Sequence, residues 1–183
     1  MKARALQWLA QREQSRAELR RKLLPHARAE AEAGSDAYAD ADADVDSTRV
    51  ASAPQPGSSA ASPAARVDAV LDWLEAHQHL SQERFVESRI HARSPRFGNL
   101  RIRQELKQHQ VALPPLAAQA LRDSELQRAL AVRERKFAAP PSNVAERARQ
   151  ARFLAGRGFS PDVIARALRA SARAAAKDEA GSA

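Results

Sequence analysis

Arginine dominates the residues that could do chemistry in this chain. Arg89, Arg93 and Arg96 fall at i, i+4, i+7, one face of a helix. Arg103 and Lys107 share a stripe with Leu100 on the next helix, with Arg101 beside them. Arg147, Arg149, Arg152 and Arg157 cluster further on, and Arg166, Arg169 and Arg173 form another stripe at i, i+3, i+7. Guanidinium groups at helical spacing do not make a reaction centre. They suit contacts to phosphates or to an acidic protein surface. The competing reading is a solvated Arg face, with stems packed over small residues. The residues expected to bind a partner or nucleic acid are Arg89, Arg93, Arg96, Arg101, Arg103, Lys107, Arg149, Arg152, Arg157, Arg166 and Arg169.

Other chemistries find little support. Glu18, three residues after Ser15, reads as a capping-box carboxylate rather than a catalytic acid. Glu105 holds a comparable place in a later helix. The five His are scattered, and His77 and His79 are two apart, a poor metal spacing. Gly156-Arg157-Gly158 lacks the third glycine of a dinucleotide loop and reads as a helix stop. Trp8, Trp73 and the Phe residues sit at helical spacing beside Leu, which makes them core before base-stacking platforms. No nucleophile–base pair or phosphate loop appears, so an enzyme is not expected, and no cofactor or metal is implied.

Composition sets the bounds. The 183 residues carry 30 Lys+Arg against 22 Asp+Glu, a formal charge of +8 and a pI near 10.9. There is no Cys, which removes disulfide scaffolds and Cys-ligated zinc. Aromatics are 4%, too few for a large enzyme core around a deep apolar cleft. No apolar run reaches membrane-spanning length and the charged N-terminus is unlike a secretory signal, so a cytoplasmic protein without membrane contact is expected.

Residues 27–65 stand apart. They hold only Val45 and Val50 of the large aliphatics, and seven acids against Arg28 and Arg49, a net −5 that leaves +13 for the rest. Ala, Asp, Ser and Pro offer too little to bury, so the stretch reads as a disordered insertion. The alternative is a short Ala helix around 27–33, marginal alone. Its net −5 also suggests an internal brake competing for the basic body.

Elsewhere the period is helical. Leu6 and Leu9 mark a first helix, Leu19 and Leu23 a second, and Val67, Val70, Leu71 and Leu74 a third. Ser81 precedes a helix with Phe85, Val86 and Ile90; Gly98-Asn99 precedes one with Ile102 and Leu106. Pro114-Pro115 opens a helix expected to end near Leu121, and Leu126, Leu130 and Phe137 mark another. Ala148, Ala151 and Leu154 precede the Gly156/Gly158 stop, and Ser160-Pro161 caps a last helix with Ile164, Ala167 and Leu168. No alternating strand pattern or hairpin turn is present.

The helices repeat. Leu106 precedes Val111 by five residues, as Leu154 precedes Phe159. The offset from Leu106 to Leu154 is 48, and that from Leu23 to Leu106 is 44 without the insertion. The fold class is therefore all-α: three tandem three-helix repeats with a disordered insertion. The boundaries read as 1–80 with the insertion at 27–65, then 81–123, 124–173, and a flexible tail at 174–183.

Three segments then carry a resemblance: LAQREQSRAELRRKL; LSQERFVESRIHARSPRFGNLRIRQELKQHQV; and ERKF followed by RFLAGRGFSPDVIARAL. Their order and spacing resemble the RecX family of recombination regulators. The acidic insertion departs from the family pattern, as does Asn99-Leu100, where members more often have Pro and a basic residue. The resemblance implies helix-turn-helix-like repeats and binding to the RecA recombinase, above all to its filament on single-stranded DNA. It implies modulation, mostly inhibition, of recombination. A monomer is expected, with single-stranded or duplex DNA as possible further partners. The alternative is a helix-turn-helix regulator acting directly on duplex DNA. Charge spread over several helices, rather than gathered on one recognition helix, favours the first.

Overall fold

The computed structural model describes residues 1–39 and 61–181. Eight helices form among the described residues, and no strand. They fall into two compact units, Met1–Gln82 and Glu83 onward.

The first unit holds α1 (Lys2–Gln11), α2 (Arg16–Ala39) and α3 (Pro63–Ala76). Its core gathers Ala5, Leu19, Leu23, Ala27, Val67, Leu71 and Leu74, with Trp8 and Trp73 packed at the edge. Ser15 Oγ accepts the Glu18 N–H at 3.1 Å, which starts α2, and Ser62 caps α3 ahead of Pro63. A row of ion pairs joins α2 to α3: Arg16 to Asp72 (2.6 Å) and Glu75 (2.7 Å), and Arg20 to Asp68 (2.8 Å).

The disordered insertion expected from residue 27 does not begin there. Residues 27–39 continue α2, and Ala27 is fully buried. Arg66 holds Glu30 at 2.9 Å. An Ala-rich segment that is marginal alone becomes helical once tertiary contacts hold it. Pro63–Ala65 likewise belong to α3. Residues 40–60 of the expected insertion lie outside the described residues, and so does any test of the acidic brake.

The second unit holds α4 (Gln82–Arg93), α5 (Asn99–Gln108), α6 (Pro115–Lys136), α7 (Val144–Gly156) and α8 (Pro161–Gly181). It has two cores. Phe85, Val86, Ile102, Leu106, Val111 and Leu121 form one. Val132, Leu154, Phe159, Ile164 and Leu168, with smaller neighbours, form the other. The break expected near Leu121 does not exist: α6 runs unbroken for 22 residues through both cores. Its buried stripe is Leu121, Glu125, Ala129, Val132 and Arg133. Two polar residues inside that stripe hid its period. Likewise α8 continues to Gly181, so the tail expected from 174 is helical through 181, as its Ala content favours.

The Leu106/Val111 and Leu154/Phe159 pairs are equivalent. The Val111 N–H returns to Leu106 O at 3.0 Å and the Phe159 N–H to Leu154 O at 3.2 Å. Between them Gln110 (φ 57°) and Gly158 (φ 83°) turn left-handed. Each is a Schellman end, with the apolar pair sealing the turn. The end of α3 is built alike, with Gln78 at φ 58° and His79 N–H on Leu74 O at 2.9 Å.

Two turns of the second unit meet backbone to backbone. The Gly98 N–H donates to Arg157 O and the Leu100 N–H to Gly158 O, both at 3.0 Å. A Cβ on Gly98 would lie closer than 3.0 Å to the Gly158 carbonyl and the Phe159 nitrogen. A Cβ on Gly158 would meet Arg101 Cβ at 2.6 Å and Arg101 N at 2.7 Å. Backbone atoms cannot swing aside as a side chain can. Gly98→Ala should therefore destabilise by roughly 2–4 kcal/mol, read by urea unfolding. Gln110→Gly should stabilise by about 0.5–1 kcal/mol, since it relieves a left-handed residue that has a Cβ.

Glu18 gives the first unit an acid-sensitive contact. It is buried, and burial alone would raise its pKa. Hydrogen bonds and charge from Arg12 and Lys22 outweigh that and hold the carboxyl below its ordinary value. A depressed folded pKa gives stability that is complete above the unfolded value, about 4.3, and is lost as pH falls through the folded value. Urea titrations from neutral pH downward should show Glu18→Gln less stable at pH 7, with the gap closing under acid.

Candidate polyanion-binding face

The meeting of Gly98 with Gly158 fixes where the cations go. It places the α4–α5 turn, the start of α5 and the α7–α8 turn against each other, next to the last turn of α6. Phe97, packed against the core, lies at the centre. The Arg101, Arg157 and Arg93 guanidiniums stand over its ring at 5.1, 5.6 and 5.9 Å. Arg157 also lies 5.1 Å from the Phe153 ring. Ring faces attract cations and hold these long side chains without neutralising them.

Beside this cluster is a pocket of about 310 Å³. Pro95, Arg96, Val132, Arg135, Lys136, Phe153 and Arg157 line it. Four of the seven are cations and none is a carboxylate. Arg135 is braced: its guanidinium donates to Pro95 O at 2.7 Å and to Ala131 O at 3.2 Å. A pocket with fixed donors, positive charge and a ring wall can take a phosphate or carboxylate with an adjoining flat or apolar group.

A second hollow of about 430 Å³ holds Arg89, Arg93, Arg101, Gln104, Glu105, Gln108 and His109. It differs electrostatically. Glu105 receives Arg89 at 3.1 Å and Arg93 at 2.9 Å, so much of that charge is spent within the protein. Glu105 is thus an ion-pair acceptor that orders the α4 arginines.

Of the residues expected from sequence, the fold brings together Arg93, Arg96, Arg101 and Arg157. Arg89 belongs to the Glu105 hollow. Arg103 and Lys107 are exposed on α5 and line neither cavity. Arg149 stands 5.5 Å over Phe137. Arg152 rims a different, apolar groove. Arg166 pairs with Asp162 at 3.6 Å on α8, and Arg169 is exposed there. The sequence reading missed Arg135 and Lys136 as site residues. Their signal lay in the ERKF motif, which the fold sets beside Arg96 and Arg157.

The face rests on a buried polar hub. Asn99, 4% exposed, gives its backbone N–H to Glu125 at 3.0 Å and its side-chain amide to Glu125 at 2.8 Å and Leu121 O at 3.0 Å. Arg128 caps the Asn99 side-chain oxygen and donates to Phe97 O at 2.8 Å and Leu121 O at 3.0 Å. Burial lowers the Arg128 pKa, and the Glu125 charge opposes that. A guanidinium stays cationic through such a shift. Among the described residues, no cluster of His, Asp or Glu could hold a metal, and no helix is long and apolar enough to cross a membrane.

Three-helix repeats that carry an aromatic-pinned cationic face define an all-α repeat protein. The chain belongs to the RecX family of regulatory proteins. Residues 123–168 match the model of the third three-helix domain of RecX. Over 171 residues the chain is 42% identical to the regulatory protein RecX of Ralstonia nicotianae, covering 92% of this chain and 86% of that one. Identity to the RecX of Leptothrix cholodnii is 41% over 171 residues, 92% and 87% of the two chains. Identity to that of Neisseria gonorrhoeae is 31% over 176 residues, 92% and 89%.

Because Arg128 bonds four backbone or amide oxygens under the face, Arg128→Met should strand buried acceptors. The expected loss is roughly 2–4 kcal/mol by chemical denaturation. Arg101→Ala, at the exposed rim, should stay within about 0.5 kcal/mol.

Proposed function

We propose that this chain binds the RecA recombinase as its filament on single-stranded DNA, and restrains the recombination activity of that filament. Membership of a regulatory family supports the reading from one side. The observation that carries it is the carboxylate-free pocket where Arg96, Arg135, Lys136 and Arg157 meet beside Phe97 and Phe153. A nucleoprotein filament presents phosphates, exposed base faces and acidic side chains together. The pocket has a partner for each: guanidinium forks, rings, and a lysine. The protein is proposed to act as a monomer in the cytoplasm, where such filaments form, and by occupancy rather than by catalysis.

The binding residues now divide by geometry. Arg96, Arg101, Arg135, Lys136 and Arg157 are proposed to touch the partner. Arg89 and Arg93 are proposed to hold α4 against α5 through Glu105. Arg103, Lys107, Arg149, Arg152, Arg166 and Arg169 add long-range attraction.

The test is joint charge reversal of Arg96, Arg101 and Arg157 to Glu. Inhibition of RecA-driven strand exchange should require at least about tenfold more protein, and the salt dependence of filament binding should flatten by about two units of log–log slope. Arg96 and Arg101 are exposed and contribute little to stability, whereas Arg157 is half-buried against Phe97 and Phe153, so melting should fall modestly while the far-UV helical signal is kept. Reversal of Arg166 and Arg169 should cost much less. Inhibition at wild-type concentrations by the triple variant would show that docking lies elsewhere. Equal affinity for bare duplex DNA and for the filament would favour direct duplex regulation instead.

A further inference from the structure

A second surface of this unit has the opposite chemistry. A groove of about 680 Å³ runs between α7, the first half of α8 and the start of α5. One face of α7 supplies Val144, Arg147, Ala148, Ala151, Arg152 and Ala155, spaced at i, i+3, i+4, i+7, i+8 and i+11. Leu100 and the α8 residues Ile164 and Leu168 complete the apolar walls. Two exposed large apolar side chains border it, Leu100 at 52% and Val144 at 85% exposure. An apolar surface of this kind left open to water marks an interaction site. Its charge is one-sided, since Arg147 and Arg152 are its only ionisable lining residues and both are exposed.

We propose that this groove docks an acidic amphipathic α-helix of a partner protein. Its length fits. The α7 face from Val144 to Ala155 rises about 16 Å, roughly three helical turns. Its floor fits, because Ala148, Ala151 and Ala155 let a second helix approach closely. Its polarity fits, with apolar anchors at i, i+3/i+4, i+7 filling the floor and carboxylates meeting Arg147 and Arg152. A nucleic acid would find two guanidiniums but no exposed ring, since Phe159 lines the groove at only 1% exposure, over a floor that gives phosphates nothing. The acidic α3 of a second copy is not free to enter it. The acidic α3 already buries Val67, Val70, Leu71 and Leu74 and spends Asp68, Asp72 and Glu75 on Arg20 and Arg16.

The probe is a fluorescein-labelled synthetic helix of about 14 residues, Leu on one face and Glu on the other, with Lys-for-Glu and scrambled controls. Fluorescence anisotropy with the full chain should show the Glu peptide binding at least about tenfold tighter than either control. Ala155→Glu, at an exposed position, should weaken that binding by about tenfold or more. Joint Arg147→Glu and Arg152→Glu should invert the preference toward the Lys peptide, a gain that unfolding cannot produce. Equal binding of all three peptides, or none, overturns the proposal. So does displacement of the Glu peptide by oligo-dT with Ala155→Glu without effect, which assigns the peptide to the cationic face. Self-association abolished by Ala155→Glu would replace the partner helix with a second copy.

Discussion

Two glycines without room for a methyl group between them hold the second unit together. Gly98 ends one turn and Gly158 another, and across the gap the Gly98 and Leu100 N–H groups donate to the Arg157 and Gly158 carbonyls. Everything positioned on either turn inherits that register. Phe97 and Arg96 precede Gly98, Arg101 follows it, and Arg157 precedes Gly158. The cationic cluster is therefore a consequence of backbone contact. Mutual repulsion of the cations is a cost that the fold offsets elsewhere, through ring contacts and the Asn99–Glu125–Arg128 hub beneath.

Much of the framework was legible because it obeys simple periods. Val67 to Leu74 give α3 at once, and the five-residue spacing of Leu106/Val111 and Leu154/Phe159 gives the repeated helix end. What failed to show has specific causes. Glu125 and Arg133 occupy core positions of α6 and break its apolar rhythm, so one helix reads as two. Residues 27–39 lack apolar content of their own and are helical because Ala27 and Glu30 are held by neighbours. Of the candidate face, the arginines were legible but not their grouping. Spacing marks Arg stripes on single helices. It cannot show that Glu105 draws off Arg89 and Arg93, nor that α6 delivers Arg135 and Lys136.

Asn99 stands where the resemblance leads one to expect a proline, and the fold accommodates it. A proline at the first helical position has no N–H to offer and needs none. Asn99 has an N–H and a side-chain amide in a buried place, and Glu125 accepts from both while Arg128 satisfies the remaining oxygen. The site thereby gains a brace between α5 and α6. Burying these groups is tolerable only because each polar atom named here has a partner.

The unbroken α6 also acts as a gear shaft. Leu121 sits in one core and Val132 in the other, eleven residues apart on one helix. That is about 16 Å of rise and, after three full turns, a phase difference of only about 20°. The two cores are thus stacked nearly in line along one rod. The pitch of the array at this junction is set by residue count, not by a pliant linker. Inserting one residue between Leu121 and Val132 would twist the third repeat by about 100° against the second. Inserting four would advance it by about 6 Å with a twist of about 40°. A stretch of helix can in this way set the spacing between side chains of successive repeats, with length rather than side-chain chemistry as the adjustable variable.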